Sequence, residues 1–191
     1  MRIRHLTAKD YKVSQWSGGT TTEIFIWPVG ASYAAREFSL RISSATVDLE
    51  ESNFTALPGV MRYIVPLQGS FTLTHPGKAP VVLSPLDTPY RFFGQIDTHC
   101  VGRATDFNLM LKGVEGVMDI CREAAPILPG LTCLYAPQPG TVTILDEVYT
   151  LAAGDALVIF AEHTAQATVN SPMIRCHGEV GIYCADARME N

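Results

Sequence analysis

Apolar residues along this chain come in short runs, alternating or continuous, and turn residues break them every few positions. Fifteen glycines and twelve prolines are spread so evenly that few windows could hold a long helix. The pattern predicts an all-β protein. In the first half it predicts strands over 2–6, 23–27, 38–47, 61–68, 70–75, 81–83, 90–93, 98–103 and 107–111, with another starting near Tyr11 and Val13. An acidic connection covers 48–52, Pro58-Gly59 is a turn, and Pro76-Gly77-Lys78 closes a hairpin. A domain boundary is expected at 111–116, giving domains 1–111 and 112–191. Residues 117–123 read either as the one short helix or as another strand, and 124–130 carry two prolines. The second half resumes the β pattern over 132–136, 142–145, 148–151, 157–161, 167–169 and 173–184. Its segment Leu151-Ala-Ala-Gly-Asp reads as a strand followed by a turn, with Gly supplying an unusual φ and Asp capping. Leu83-Ser-Pro-Leu-Asp is its counterpart in the first half. The halves therefore read as two degenerate copies of one barrel module.

Strand alternation brings polar side chains into runs that otherwise look buried. Arg41 and Ser43 share one face of their strand, with Leu40, Ile42 and Ser44 on the other. Arg62 shares a face with Ile64, and Asp106 shares one with Asn108. Arginine is almost never fully buried unless it is paired, so each arginine implies an anion. The guanidinium fork matches both oxygens of a carboxylate. The residues leave two partners open for Arg41 and Arg62: a small acidic ligand in a pocket inside the first barrel, or an internal acid such as Glu23 or Asp106. Asp106 and Asn108 would orient the arginines or contact ligand. Glu23 and Asp106 together would also suit acid–base chemistry if burial split their pKa values.

Composition narrows the classes. Apolar residues are 47% and charged residues 17% of 191, which is globular and not disordered. Net charge is −5 and the Lys/Arg residues are scattered, which argues against nucleic-acid and anionic-membrane partners. The N-terminal stretch is charged and has no apolar core segment, and no apolar run is long enough to span a bilayer. The five cysteines contain no Cys-x-x-Cys pair, so reduced thiols in a cytoplasmic protein are expected. No His-x-His occurs. His75 and His99 would be the first-half metal ligands, with His163 and His177 in the second, but their spacing is poor and no metal or other cofactor is expected. Trp16-Ser-Gly-Gly-Thr-Thr-Thr-Glu23 lacks the Lys-Ser/Thr ending of a phosphate loop, and its glycines suit a tight loop across a barrel mouth. No nucleophile motif is present.

Four stretches together resemble the HutD/Ves family: Trp-Ser-Gly-Gly-Thr-Thr-Thr-Glu-Ile (16–24), Phe-Ser-Leu-Arg-Ile-Ser-Ser-Ala-Thr-Val (38–47), Ser-Asn-Phe-Thr-Ala-Leu-Pro-Gly-Val-Met-Arg (52–62) and Thr-Asp-Phe-Asn-Leu-Met (105–110). The likeness is strong over 10–111 and compositional beyond. It implies a bicupin, two RmlC-like jelly-roll barrels in one chain. It also implies a metal-free binder of a small acidic metabolite linked to histidine utilisation or stress response. Urocanate or a formyl- or formimino-glutamate is the implied ligand. The positions it carries over are Trp16, Glu23, Arg41, Ser43, Phe54, Arg62, Asp106 and Asn108 as ligand-binding residues, with Pro58, Gly59 and Phe107 as structural ones. Thr22 stands where many relatives carry an arginine. A cupin-type isomerase, hydrolase or dioxygenase acting on a small carboxylate is the alternative, with no catalytic residue assigned. A second copy of the chain remains open as a partner.

Overall fold

The computed structural model describes residues 1–16 and 18–181. These residues form β-strands and turns and no helix. In chain order the strands are Arg2–Leu6 (β1), Lys12–Trp16 (β2), Gly19–Trp27 (β3), Leu40–Val47 (β4), Glu51–Asn53 (β5), Val60–Gly69 (β6), Phe71–Thr74 (β7), Val81–Leu83 (β8), Tyr90–Phe93 (β9) and His99–Val101 (β10). They continue with Ala104–Lys112 (β11), Gly116–Cys121 (β12), Ala124–Ile127 (β13), Gly130–Tyr135 (β14), Gly140–Ile144 (β15), Glu147–Leu151 (β16), Ala156–Ala161 (β17), Ala165–Val169 (β18) and Met173–Gly178 (β19).

The chain divides into two compact units. One holds Lys12–Trp27 and Ala31–Gly113 and is called here the N-unit. The other, the C-unit, holds Val114 onward together with Met1–Tyr11 and Pro28–Gly30. The first eleven residues are thus not part of the first domain, contrary to the 1–111 expectation. The reason is pairing: β1 runs antiparallel to β17, with Ile3 opposite Ile159.

Each unit is a jelly-roll sandwich of a large and a small antiparallel sheet. In the N-unit the large sheet has the order β2-β3-β4-β11-β6-β9 and the small one β5-β10-β7-β8. In the C-unit they are β1-β17-β14-β19-β12 and β13-β18-β15-β16. The four-strand series β4-β11-β6-β9 and β12-β19-β14-β17 match, as do the two small sheets in full. The repeated turn confirms the correspondence. The Ala152 amide donates to the Asp155 carboxylate at 3.0 Å, and the Ser84 amide to that of Asp87 at 3.1 Å. Gly154 takes φ 92° and Leu86 φ 57° at the equivalent position. The Gly154 amide donates to Ala136 O and that of Leu86 to Pro66 O, closing each turn on the same strand of its unit. This is the cupin fold, built twice.

Three segments differ from expectation for local reasons. Residues 117–121 resolve as strand, because β12 ladders onto β19 along its whole length, and 122–123 are a bend. Residues 124–127 are also strand despite Pro126, which is tolerated because β13 is an edge. The acidic connection ends in β5, a short strand against β10. The strand expected over 173–184 ends at Gly178, and its last residues, with Cys184, lie outside the described residues.

The interiors are unlike. In the C-unit, residues such as Ile127, Leu134, Ile144, Leu157 and Ile159 fill the space between the sheets. In the N-unit a smaller cluster of Ile64, Phe71, Leu73, Leu83, Phe92 and Cys100 occupies one region, and Phe38, Leu57, Val60 and Met110 another. Between the strands remains a cavity of about 440 Å³.

Candidate functional site

The cavity is lined from the inward face of the N-unit's large sheet. Arg41, Ser43, Ala45 and Val47 alternate inward from β4, and Asp106, Asn108 and Met110 from β11. Register sets their neighbours: Met110 stands between Arg41 and Arg62, and Asn108 between Ser43 and Ile64. Two irregularities adjust the aim. One extra residue in β3 between Glu23 and Phe25 puts Glu23 opposite Ser43. A shift at Thr105/Asp106 falls opposite Pro66, which has no N–H to give the ladder.

The two arginines are both buried but are held differently. Arg41 donates Nε to the Glu23 carboxylate at 2.7 Å and Nη1 to Ser43 Oγ at 3.0 Å. Its guanidinium also lies over the Tyr33 ring, 4.1 Å from the centroid. Arg41 is therefore matched by an acid within the protein. Arg62 has no such direct partner. Its Nη2 donates to Asn108 Oδ1 at 2.9 Å, and the Asn108 amide in turn donates to the Asp106 carboxyl. The Phe54 and Phe92 rings lie 4.7 and 5.2 Å from the same guanidinium. Its Nε is buried with no hydrogen-bond partner among the described residues. A buried donor left unmade normally costs about 1–3 kcal/mol, so an orphan on an arginine calls for an explanation.

Burial dominates the electrostatics. It pushes the Asp106 carboxyl up to about 7, against the opposing pull of Arg62, the Ala45 amide and Asn108. It also pushes Arg62 down, and Asp106 only partly restores it. A guanidinium keeps its proton at any physiological pH, so Asp106 is the member of the pair that titrates.

Of the eight residues expected at the site, seven line the cavity: Trp16, Arg41, Ser43, Phe54, Arg62, Asp106 and Asn108. Glu23 acts behind Arg41 instead. Its carboxylate is bonded to Arg41, while the Asp106 carboxyl is bonded to the Asn108 amide. Trp16 sits at the exposed edge strand β2, and its indole packs on Gly18: a Cβ there would fall 2.2 Å from a ring carbon. Sequence reasoning missed Tyr33. It lies in a loop of irregular pattern, which is pinned by Arg36 Nη1 donating to Tyr33 O and by Lys112 Nζ donating to Arg36 O. No periodicity marks such a residue. It missed Phe92 too, whose apolar type does not distinguish an arginine support from core.

His75 and His99 are not brought together. His75 is buried, with Nδ1 against Thr98 Oγ1 at 3.2 Å, while His99 is half-buried and contacts Asn53. No group of three or more His, Cys, Asp or Glu residues suited to a metal occurs among the described residues. Cys100, Cys121, Cys133 and Cys176 are free and buried. Among the described residues no helix is long and apolar enough to cross a membrane.

Comparison with family models matches HutD over residues 8–176. The chain belongs to the HutD family. Among solved structures, it resembles HutD from Pseudomonas fluorescens SBW25 (formate condition) at 23% identity and a TM-score of 0.78, over 93% of this chain and 98% of that one. It resembles a conserved protein of unknown function from Pseudomonas aeruginosa PAO1 at 23% identity and TM-score 0.79, over 92% and 97%. A bacterial pirin from Escherichia coli in complex with nickel(II) shares the fold at 11% identity and TM-score 0.60, over 92% and 97%. Comparison with curated proteins finds no match by sequence. The pirin's metal does not transfer to the HutD-family cavity seen here. Two guanidinium cations line it and no histidine does, a donor set that repels a divalent cation instead of ligating it.

Proposed function

We propose that this HutD-family chain binds a small carboxylate in the N-unit cavity, with Arg62 as the principal anion contact. The observation that carries the reading is Arg62 itself. It is buried, fixed by Asn108 and two aromatic rings, and has a donor with no acceptor among the described residues, beside an open cavity. A guanidinium fixed in this way loses little freedom on binding, which favours affinity. Family membership supports a ligand drawn from histidine utilisation, with urocanate and formyl- or formimino-glutamate as the first to test. It supports a role as a cytoplasmic binder of that metabolite and not as a catalyst.

The test is calorimetry with urocanate, N-formylglutamate and formate, on the native chain and on Arg62→Gln. Binding to the native chain that the variant loses supports the reading. Equal affinity in both removes it. A second reading has one observation in its favour: Asp106, with a carboxyl near neutrality, faces the cavity. There it would serve as a general acid or base toward a bound carboxylate. Conversion of a bound ligand, followed by NMR and lost in Asp106→Asn, would replace the binder by an enzyme.

A further inference from the structure

Two basic side chains and one acidic one line the cavity: Arg41, Arg62 and Asp106. Their charges are not equally available. The Arg41 charge is met by Glu23 in direct contact, and the Glu23 side chain is itself mostly buried. Asp106 reaches Arg62 only through the Asn108 amide. Arg62 is therefore the one lining cation with no acid touching it. Lys12, the register partner of Glu23, is exposed and does not line the cavity.

The rest of the lining is neutral. Phe54 and Trp16 supply aromatic wall, and Ala45, Val47 and Met110 supply apolar wall. Tyr33 adds a polar handle. Its ring is held between the Arg36 and Arg41 guanidinium groups, at 4.3 and 4.1 Å, and among the described residues its hydroxyl makes no hydrogen bond. A phenol so placed is free to donate to a ligand oxygen.

We infer that the cavity selects a monoanion: a single carboxylate taken by Arg62 with Tyr33 as a supporting donor, on a neutral and preferably flat body that lies against the aromatic walls. This rests on the carboxylate-binding reading above and sharpens it by charge count. A second carboxylate on the same small molecule would find Arg41 already neutralised. It would stand in the field of Glu23 with no cation to offset it, and the cost of burying that charge would fall on affinity. Among the ligands the family suggests, the inference favours the urocanate type over the glutamate type, which carries two carboxylates.

The experiment is calorimetry at pH 6 with matched pairs of one and two carboxylates: acetate and malonate, butyrate and glutarate, benzoate and isophthalate, urocanate and N-formylglutamate. Benzamide is the uncharged control. Each monocarboxylate that binds should do so at least about tenfold more tightly than its dicarboxylate partner, a difference typical of one uncompensated charge. Benzoate should bind most tightly of the first three pairs, and benzamide should not bind. Glu23→Gln keeps an oxygen for Arg41 but frees its charge, so it should narrow the gap by raising affinity for the dicarboxylates alone. Tyr33→Phe should weaken benzoate a fewfold. If dicarboxylates bind as tightly as their partners and Arg62→Gln abolishes both, the monoanion inference is wrong while the carboxylate site stands. If no acid in the panel binds, both fall. Should Glu23→Gln not fold, the native pairs still decide.

Discussion

The two units carry the same sheet and use it in opposite ways. Strand order aligns β4, β11 and β6 with β12, β19 and β14, and the repeated turn fixes the register by equating Pro66 with Ala136. One inward row of the N-unit then reads Ile64, Asn108, Ser43, and its counterpart reads Leu134, Arg175, Asp119. The next row reads Arg62, Met110, Arg41 against Thr132, His177, Val117. In the C-unit the arginine and its acid are direct cross-strand neighbours. Arg175 meets Asp119 with both Nε and Nη2, and Nη1 donates to Pro126 O at 3.3 Å. In the N-unit the two arginines sit one row away from neutral residues and are separated by a methionine. Adjacent placement satisfies a charge within the protein. Displacement by one row leaves Arg62 on an amide and keeps a cavity open. A buried arginine in this sheet is thus met directly by an acid or left on an amide according to what stands beside it.

The sharpest way to break this contrast is to remove each arginine in turn. Arg62→Ala should lower carboxylate affinity about 100-fold, equivalent to about 2.7 kcal/mol and in the range for a charged hydrogen bond. Arg175→Ala should leave that affinity unchanged. It should instead cost stability on the order of 1 kcal/mol, because Asp119 loses a bidentate partner but is 39% exposed and is partly solvated in its place. Calorimetry and urea melts on both variants decide. Loss of binding in Arg175→Ala would end the division of labour.

Asp106 gives the next largest effect, and its sign is fixed. Its carboxyl is raised from 3.8 to about 7 in the folded chain. Between those values the folded state holds a proton that the unfolded state has released, so stability falls as pH rises from about 4 to about 7 and then levels. The loss is on the order of 4 kcal/mol for a shift of this size. Asp106→Asn should flatten that slope and melt higher than the native chain at pH 8. Ligand binding should follow the same proton. A carboxylate beside a neutral Asp106 meets only Arg62, so affinity should decline as pH rises through 7, by about tenfold per unit at most. Affinity that is flat from pH 6 to 8 would show that Asp106 does not face the ligand.

A smaller effect tests the mouth of the cavity, which the C-unit has no counterpart for in β2. Gly18 leaves room for the Trp16 indole. Gly18→Ala would displace the ring and should weaken benzoate about three- to tenfold, within the usual loss for one aromatic contact. Stability should change by under about 1 kcal/mol, since the site is at an edge strand. Trp16 is the exposed one of two tryptophans, Trp27 being buried, so its fluorescence should shift in the variant. An unchanged spectrum with unchanged affinity would remove Trp16 from the site.

The contrast between units was only half legible in the sequence. Alternation placed Arg41 with Ser43 and Asp106 with Asn108, because a period of two is a local property. It also brought out the paired turns at Leu83-Ser-Pro-Leu-Asp and Leu151-Ala-Ala-Gly-Asp. It gave no access to register. That Glu23 faces Arg41 depends on a bulge in β3, and that Asn108 stands between Arg62 and Asp106 depends on the register of β6 against β11. Arg175 drew no attention, although its strand pattern resembles that of Arg41, since no sequence feature says which acid lies opposite. Tyr33 escaped because irregular loops carry no period. The helix-or-strand ambiguity at 117–123 came from a short apolar run, where only pairing arbitrates.

The smallest predicted effect probes the C-unit alone. Ile144 pairs with Glu147, leaving Leu145-Asp146 as a two-residue hairpin loop between β15 and β16. Both residues take positive φ, 48° and 68°. That is the mirror-image turn that suits the strand twist, and it favours Asn-Gly. Leucine is a poor choice there, because its Cβ crowds the backbone in the left-handed region. Its side chain is 70% exposed, so it recovers little by packing. Leu145→Asn with Asp146→Gly should therefore stabilise the chain by about 1 kcal/mol, raising Tm by about 2–4 °C. If the C-unit is a scaffold and the N-unit the binding module, carboxylate affinity should not move with it. A gain in Tm with unchanged affinity separates the two roles. A change in affinity would end the assignment of scaffold and binding module.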